Sequence, residues 1–405
     1  MAGSALQIPT SAPAKEPRTR ADSLRVLLVE AQQLRNYEGA WWQLSGNTLV
    51  PNVFYDPWML LPAVERYSQP ERLRFVLVFG PADSDNIEPL WGFFPLELQD
   101  KCLHLPIRTL AFWQHRNCHL TVPLIFADKV WEVLDGFWRW FERNPLGCHI
   151  LDTNFLPAEG RFHAVWTDFA IGRSSIMLRD FPRAFLAASG TASSYISAAF
   201  SKKHYDEYLR QERRLAELGK LEYRQVEDPA AVDAWLDEFL ELEAAGWKGG
   251  EAGAAFSKRE EDSTYFREMT HRGFGLDRVM LLSLTLNGKA IAMKHNLQSG
   301  DGSFALRIAY DESYAKYSPG VLLELDNIRR VFAHPQVKWQ DSCAKPRHVM
   351  ANRIWRERRM LRRTLFSDGS RPGEFWMAFL PMLRWVRQQL KRQPDQDYLQ
   401  ISTRL

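Results

Sequence analysis

Short apolar runs, each closed by a polar turn, mark the first part of the chain. "LRVLLVE", from residue 24, reads as a strand. "PNVFYDPWMLLPAVERY" reads as a loop entering a helix, with Pro57 suited to the first helical turn. "LRFVLVFG" and "LWGFFPLEL" are strands on either side of the polar turn "PADSDNIE". "KVWEVLDGFWRWFERN" carries its aromatic residues on one helical face. "CHILDTNFL" and "SIMLRD" are further strands. Residues 24–182 therefore alternate strands and helices, without a Gly-rich phosphate loop among them.

The period then becomes helical from residue 181 to 218, and Gly219 is a helix stop. This stretch reads as a basic connector. Strand "KLEYRQVE" follows, then helix "DPAAVDAWLDEFLELEAAGW", with Asp228 as N-cap and Pro229 after it. After the loop "KGGEAGAAF" comes helix "REEDSTYFREMTHRG". Three strands then run through "RVMLLSLTLNGKAIAMKHNLQSGDGSFALRIAYD", joined by Asn-Gly and Ser-Gly-Asp-Gly, both hairpin signals. A polar stretch, a helix opened by Ser318-Pro319-Gly320 and the strand "VKWQDSCA" complete this segment. The expected organisation is a leader (1–23), a first domain (24–182), a helical connector (183–219), a second domain (220–366), and a final helix with tail (367–405).

Composition narrows the class. At 405 residues, with 45% apolar and 25% charged, the chain suits two globular domains. Fifteen tryptophans point to deep aromatic cores. A net charge of +3 lacks the strong basic excess of a nucleic-acid binder, apart from the block at 353–363. Four cysteines without a CxxC pair suit a reducing cytoplasm rather than a disulfide framework or zinc ribbon. The Ser-, Pro- and Ala-rich start has no apolar core of a signal peptide, and no run of 18 apolar residues appears.

The chemistry gathers at "AYDESYAKYSPGVLLE". Helix starts carry unpartnered amides and partial positive charge, and bind phosphate where small residues permit approach. Ser318 can cap the helix or bond an oxygen, Gly320 lets a ligand near the backbone, and Lys316 can neutralise phosphate. Simple helix capping explains the same residues.

A β-meander, a strand, a loop and a helix follow one another in the order of the acyl-CoA N-acyltransferase (GNAT) fold. "GKAIAMKHNLQSGDGSFALRIAYDESYAKYSPGVLLELDNI" followed by "DSCAKPRHVMANRIWRERR" resembles acetyltransferases associated with cellulose and exopolysaccharide biosynthesis (the CelD/BcsL type). These are similar in turn to Fem-type peptidoglycan aminoacyltransferases. The resemblance covers about residues 201–363 and extends loosely to the first half. It implies an α/β protein with tandem GNAT-like domains and mixed, mainly antiparallel central sheets. The usual loop pattern, Gln/Arg-x-x-Gly-x-Gly/Ala, is not met: Ala315, Ser318 and Gly320 stand at its marked positions.

The resemblance further implies acetyl-CoA or another acyl-CoA as co-substrate, with pyrophosphate over Tyr317, Ser318, Gly320 and Val321. The thioester would lie along Leu306, Ile308 and Tyr310. It suggests an amino sugar or lipid-linked sugar acceptor in exopolysaccharide or cell-envelope synthesis, met by loops of both halves. Glu243 is the acidic candidate for general base, with Trp247 and Lys248 beside it on the acceptor side. Alternation puts Lys294 and His295 on opposite faces, one to orient an acidic group or the other to act as base. Tyr310 can protonate the thiolate. Asp311 can brace the loop or touch the acceptor. Asp341 is a second candidate base. Cys343 with His348 is a conceivable nucleophilic pair, against a plain buried cysteine.

Aminoacyl-tRNA as donor, and a non-catalytic scaffold in a polysaccharide-synthesis complex, are the alternatives. The basic helical face at 353–363 can serve adenosine phosphates, an anionic glycan, a lipid-linked phosphate or tRNA. The amphipathic final helix packs on the body or docks at a membrane surface. His115 and His119 have the i, i+4 spacing of helical ligands but lack the glutamate of a HExxH motif, and no metal is expected.

Overall fold

The structure, a computed structural model, describes residues 24–67, 69–250 and 253–391; the expected leader and the tail from 392 lie outside them. The elements in the first half are β1 (Arg25–Val29), α1 (Glu38–Ser45), α2 (Pro57–Tyr67), β2 (Leu73–Phe79), β3 (Leu90–Gln99), β4 (Thr109–Phe112), β5 (Leu124–Ile125), α3 (Val130–Glu142), β6 (Ile150–Pro157) and α4 (Gly160–Ala170). There follow β7 (Ser175–Ala187), α5 (Ala192–Ala199), α6 (Lys202–Ala216), β8 (Leu221–Gln225), α7 (Val232–Ala245), α8 (Glu260–Phe274), β9 (Val279–Leu286), β10 (Lys289–Ser299), β11 (Gly302–Tyr310), α9 (Pro319–Ala333) and β12 (Trp339–Asp341). The last elements are α10 (Val349–Ile354), β13 (Glu357–Ser367) and α11 (Arg371–Lys391).

Two compact units emerge. One contains the chain up to Phe181 and again from Met360; the other is Pro182–Arg359. In the first, the strands follow the order β1-β2-β3-β4-β6-β13, with β5 beside β3. β4 and β6 run parallel, through Leu110↔Leu151 and Ala111↔Asp152. Six tryptophans of the first unit go to the core, Trp41, Trp58, Trp113, Trp138, Trp140 and Trp166, while Trp42, Trp91, Trp131 and Trp376 are half-buried and Trp385 is exposed. Phe94 and Phe137 stack at 4.1 Å, and Trp41 and Phe93 at 4.3 Å. Gly92 makes room for α3, since a Cβ there would lie 2.4 Å from Val133 Cγ1.

The second unit has the strand order β7-β12-β11-β10-β9-β8, entered by the C-terminal half of β7. The hairpin β9–β10 turns at Asn287 and Gly288, both with positive φ, as an Asn-Gly turn requires. Only β11 and β12 are parallel, and α9 makes the crossover between them. Trp235, Phe239, Phe256 and Phe266 pack around α7 and α8. A separate core joins Tyr195, Ile196, Tyr208 and Leu215 to Leu322, Leu325 and Ile328.

That second core explains two departures from the expected organisation. Residues 183–219 do not form a separate connector: β7, α5 and α6 bury their apolar side chains with α9. Nor is 353–363 a basic helical face. The helix ends at Ile354, and Arg358 satisfies its last turn by donating to the carbonyls of Asn352 and Trp355 at 2.9 and 2.6 Å. The chain continues as β13, whose residues from Leu361 to Ser367 pair with β6 in the first unit. At the end, α11 buries Met377 and Leu380, while Phe375, Met382 and Trp385 remain exposed. No helix of the described residues is long and apolar enough to cross a membrane.

Candidate functional site: the open edge of β11

The parallel pairing of β11 with β12 ends at Phe304↔Asp341, yet β11 continues to Tyr310. On the other side, β10 pairs His295 with Arg307 and Asn296 with Ala305, so Leu306 is an extra residue at a bulge. The phase of the strand follows from one bond: Asp311 N donates to Ile291 O at 2.9 Å. Hydrogen-bonded and non-bonded pairs alternate in an antiparallel ladder. Lys294↔Ile308 and Ala292↔Tyr310 are therefore the non-bonded pairs, and the backbone groups of Ile308 and Tyr310 point away from β10. They line the side that β12 has left. Such an edge is a template for an extended ligand.

The edge leads to the start of α9. Asp311 braces the turn: its Oδ1 accepts from Ser313 N at 2.9 Å and from Ser313 Oγ at 2.6 Å. Ser318 takes the left-handed conformation (φ 53°, ψ 47°), which ends the tight turn Glu312–Tyr317 and lets Pro319 begin the helix. The carbonyl of Ser318 then accepts from Val321 N and Leu322 N at 2.9 and 3.1 Å. Val321, expected beneath the pyrophosphate, has its amide bonded inside the helix start. Gly320 also serves packing. A Cβ there would lie 3.3 Å from Tyr310 Cδ1 and 3.9 Å from Met350 Sδ, so its lack of side chain seats the Tyr310 ring. Lys316 is exposed, with Nζ 5.0 Å from the centre of the Tyr317 ring.

A charged wall comes from α7. Glu243 is 1% exposed. Its Oε2 accepts from Phe256 N at 2.8 Å, while its Oε1 accepts no hydrogen bond. Lys248 Nζ and Arg307 Nε each lie 3.6 Å from that oxygen. Arg307 is fixed by donating to Ala254 O at 2.8 Å and by lying over the Phe256 ring. Lys248 donates from Nζ to the carbonyl of Ile308, on the open edge itself. Burial lowers its amine to about 8, with the Arg307 charge adding to the shift and Glu243 opposing it. Trp247 N donates to Glu312 Oε1 at 2.7 Å, tying this loop to the one after β11 and leaving the indole 63% exposed.

Other expected site residues lie elsewhere. Lys294 faces α9, not an open cleft: its Nζ donates to Glu324 Oε2 at 2.8 Å, both side chains being buried. Trp355 Nε1 and Asn327 Nδ2 donate to the other oxygen of Glu324, and Asn327 also bonds Asn296 and Gln340. His295 is equally wrong for a base. It is buried between Phe266 and Trp235, with Nε2 3.0 Å from Thr270 Oγ1, and burial drives it down to about 3.

Asp341 is buried and spent on structure. Its Oδ1 accepts from Cys343 N at 2.8 Å, its Oδ2 accepts from Arg359 at 3.1 Å, and Arg183 lies 3.5 Å away. Burial and Asp341 push the Cys343 thiol well above its usual range, which removes it as a nucleophile. His348 Nδ1 accepts from Ala351 N at 3.2 Å, capping α10. Burial, then Lys248 and Lys294, lower its proton affinity.

Three of the six arginines of 353–363 are ion-paired, while Arg353, Arg356 and Arg358 stay exposed. Arg359 pairs with Asp341, Arg362 with Asp180 and Arg363 with Asp152, the last two at 2.6 Å. These three are not part of the free anion-binding face expected. His115 and His119 sit in an irregular segment rather than on a helix, and His115 is buried against Tyr67. No group of three or more metal-binding side chains occurs among the described residues. Arg307 and Glu312 were not foreseen. The alternation that singles out Leu306 and Ile308 also puts Arg307 on the opposite face, toward Glu243.

Comparisons with known proteins bear on this arrangement. Residues 202–344 match the profile of the acetyltransferase (GNAT) domain. No curated protein matches the chain. Among solved structures, a conserved protein of unknown function from Bacteroides thetaiotaomicron VPI-5482 is similar at 11% identity and TM-score 0.51, over 84% of this chain and 97% of that one. FemX is similar at 8% identity and TM-score 0.51, over 84% of this chain and 96% of that one. Both likenesses are of fold. The chain is a mixed α/β protein that shares the GNAT-like architecture of these neighbours.

Proposed function

We propose that the Pro182–Arg359 unit is an acyltransferase that draws an acyl group, acetyl first among candidates, from a coenzyme A thioester lying along the open edge of β11. The observation that carries this reading is the edge itself: a bulge at Leu306, then outward-facing backbone at Ile308 and Tyr310, leading to the start of α9. The amides of a pantetheine arm match such a row of backbone donors and acceptors. The pyrophosphate falls to exposed Lys316, half-buried Tyr317 and Ser318, and the amide of Gly320, which lacks an intrahelical acceptor.

Chemistry follows from the neighbours. An outward N–H of β11 polarises the thioester carbonyl, where negative charge develops. The acceptor's amine or hydroxyl attacks that carbon and its proton passes to the Glu243 carboxylate. The carbon–sulfur bond breaks, and Tyr310 gives its hydroxyl proton to the departing thiolate. Arg307, Lys248 and exposed Trp247 border the acceptor. An amino sugar or related precursor of exopolysaccharide or cell-envelope synthesis is the acceptor class we put first. The internal pairing of Arg359, Arg362 and Arg363 takes half of this basic block away from an aminoacyl-tRNA donor.

Acetyl-CoA at about 100 times its Kd should stabilise the protein by about 2.7 kcal/mol in a thermal melt. Release of free coenzyme A with an amino-sugar panel should fall about hundredfold in kcat for Glu243→Gln. No melting shift with any acyl-CoA overturns the donor reading; binding without turnover favours the scaffold alternative.

A further inference from the structure

We infer that Lys248 is a positioning residue that closes the open edge of β11 in the free protein and transfers to Glu243 when the acyl donor binds. This rests on the donor reading above. Ile308 offers its carbonyl on that edge, and Lys248 Nζ already occupies it. The amide N–H groups of a pantetheine arm compete for the same carbonyl. A displaced ammonium in a pocket this enclosed needs another acceptor.

The acceptor is at hand. Glu243 Oε1 is buried, receives no hydrogen bond, and lies 3.6 Å from Lys248 Nζ. A buried carboxylate oxygen with two cations at 3.6 Å and no hydrogen bond gains when one of those donors closes on it. Arg307 cannot fill the role from its present place, because it is held by Ala254 O and the Phe256 ring and points Nε at 3.6 Å. A short swing of Lys248 turns the distant pair into a hydrogen-bonded one. Oε1 has lone pairs for both Lys248 and an incoming acceptor, so the donor completes the acceptor wall before the acceptor arrives.

The charged and titratable groups facing Lys248 are Glu243 from α7, Arg307 from β11, Lys294 from β10, and His348 ahead of α10. Lys294 is held by Glu324, and His348 is neutral above pH 7 because its proton affinity is already lowered. Glu243 already pulls the Lys248 amine up against burial; a closer approach strengthens that pull, so donor binding shifts the amine further toward its charged form. At pH 8.5 the bound state therefore holds more protons than the free state.

Isothermal titration of the full chain with acetyl-CoA tests this. In two buffers of different ionisation enthalpy at pH 8.5, wild type should take up a fraction of a proton on binding, and Lys248→Met none. Glu243→Gln should weaken donor binding about tenfold, the scale of one charge-assisted hydrogen bond, and lose that effect in the Lys248→Met background. Binding without proton uptake by the wild type overturns the switch and leaves the donor reading standing. So does a Glu243→Gln effect that persists beside Lys248→Met. The wild-type measurement decides even where a variant fails to fold. No binding of acetyl-CoA or longer acyl-CoA overturns the donor reading and the switch together.

Discussion

Each unit has a parallel strand pair, β4/β6 and β11/β12, and the two are finished in opposite ways. Beyond β4, in the first unit, backbone groups find partners in neighbouring backbone and in the buried side chains of Tyr55 and Asn52. Trp113 N donates to Pro95 O at 2.9 Å, and Trp113 O accepts from Tyr55 Oη at 2.7 Å. Asn52 Nδ2 bonds the carbonyls of Leu120 and Val122 at 3.1 and 2.7 Å, and Asn154 bonds Gln114. Beyond the β11/β12 pair, the backbone of Ile308 and Tyr310 faces outward, and one flexible lysine holds one carbonyl. Backbone pairing and the buried Tyr55 and Asn52 side chains close the first site, whereas a lysine ammonium covers the second. Backbone polarity is a cost where it is sealed and a binding surface where it is left.

Three perturbations probe that contrast. The largest effect falls on the polar layer beneath α9. Lys294→Met leaves Glu324 buried without its cation and should destabilise by about 4 kcal/mol in urea unfolding. Adding Glu324→Leu should restore most of the loss; a single variant as stable as wild type would remove the buried pair from the account. Next, Asn52→Ala strips the donors from two buried carbonyls in the closed unit. We expect a loss of about 2 kcal/mol, with acyl-CoA affinity unchanged. A matching drop in affinity would show that the first unit's closure also shapes the donor edge.

The smallest effect is acid sensitivity. His115 in the first unit and His295 in the second are both lowered to about 3, chiefly by burial. Their folded affinity for protons is below the unfolded one, so each contributes stability above the unfolded pKa and loses it as pH falls. The loss should run from about pH 6.5 down to about 3, reaching about 1 kcal/mol per histidine near pH 5.5. Denaturation midpoints at pH 7.5 and 5.5 for His115→Phe and His295→Leu should each lack that share. An unchanged pH slope in both variants would assign the acid sensitivity to other groups.

Much of the second unit was legible along the chain. Alternation and Asn-Gly punctuation mark β9, β10 and β11, and Ser-Pro-Gly marks the start of α9. The segment 353–363 misleads because its arginines look solvated. Their partners, Asp152, Asp180 and Asp341, stand far away in sequence in two of the three cases. Lys294 and His295 were placed on opposite faces correctly by alternation. What alternation could not tell is that helices cover both faces, so that neither residue reaches a cleft.

The sequence alone determined the order of elements and which residues of each strand share a face, because both depend on short-range periodicity and local turn chemistry. Only the tertiary structure decided where β11 loses its neighbour, that Gly320 seats a tyrosine ring, and that Glu243 keeps one oxygen without a bond. Those outcomes depend on which chain segments end within hydrogen-bond reach. That is set by packing across tens to hundreds of residues, for which no local pattern exists.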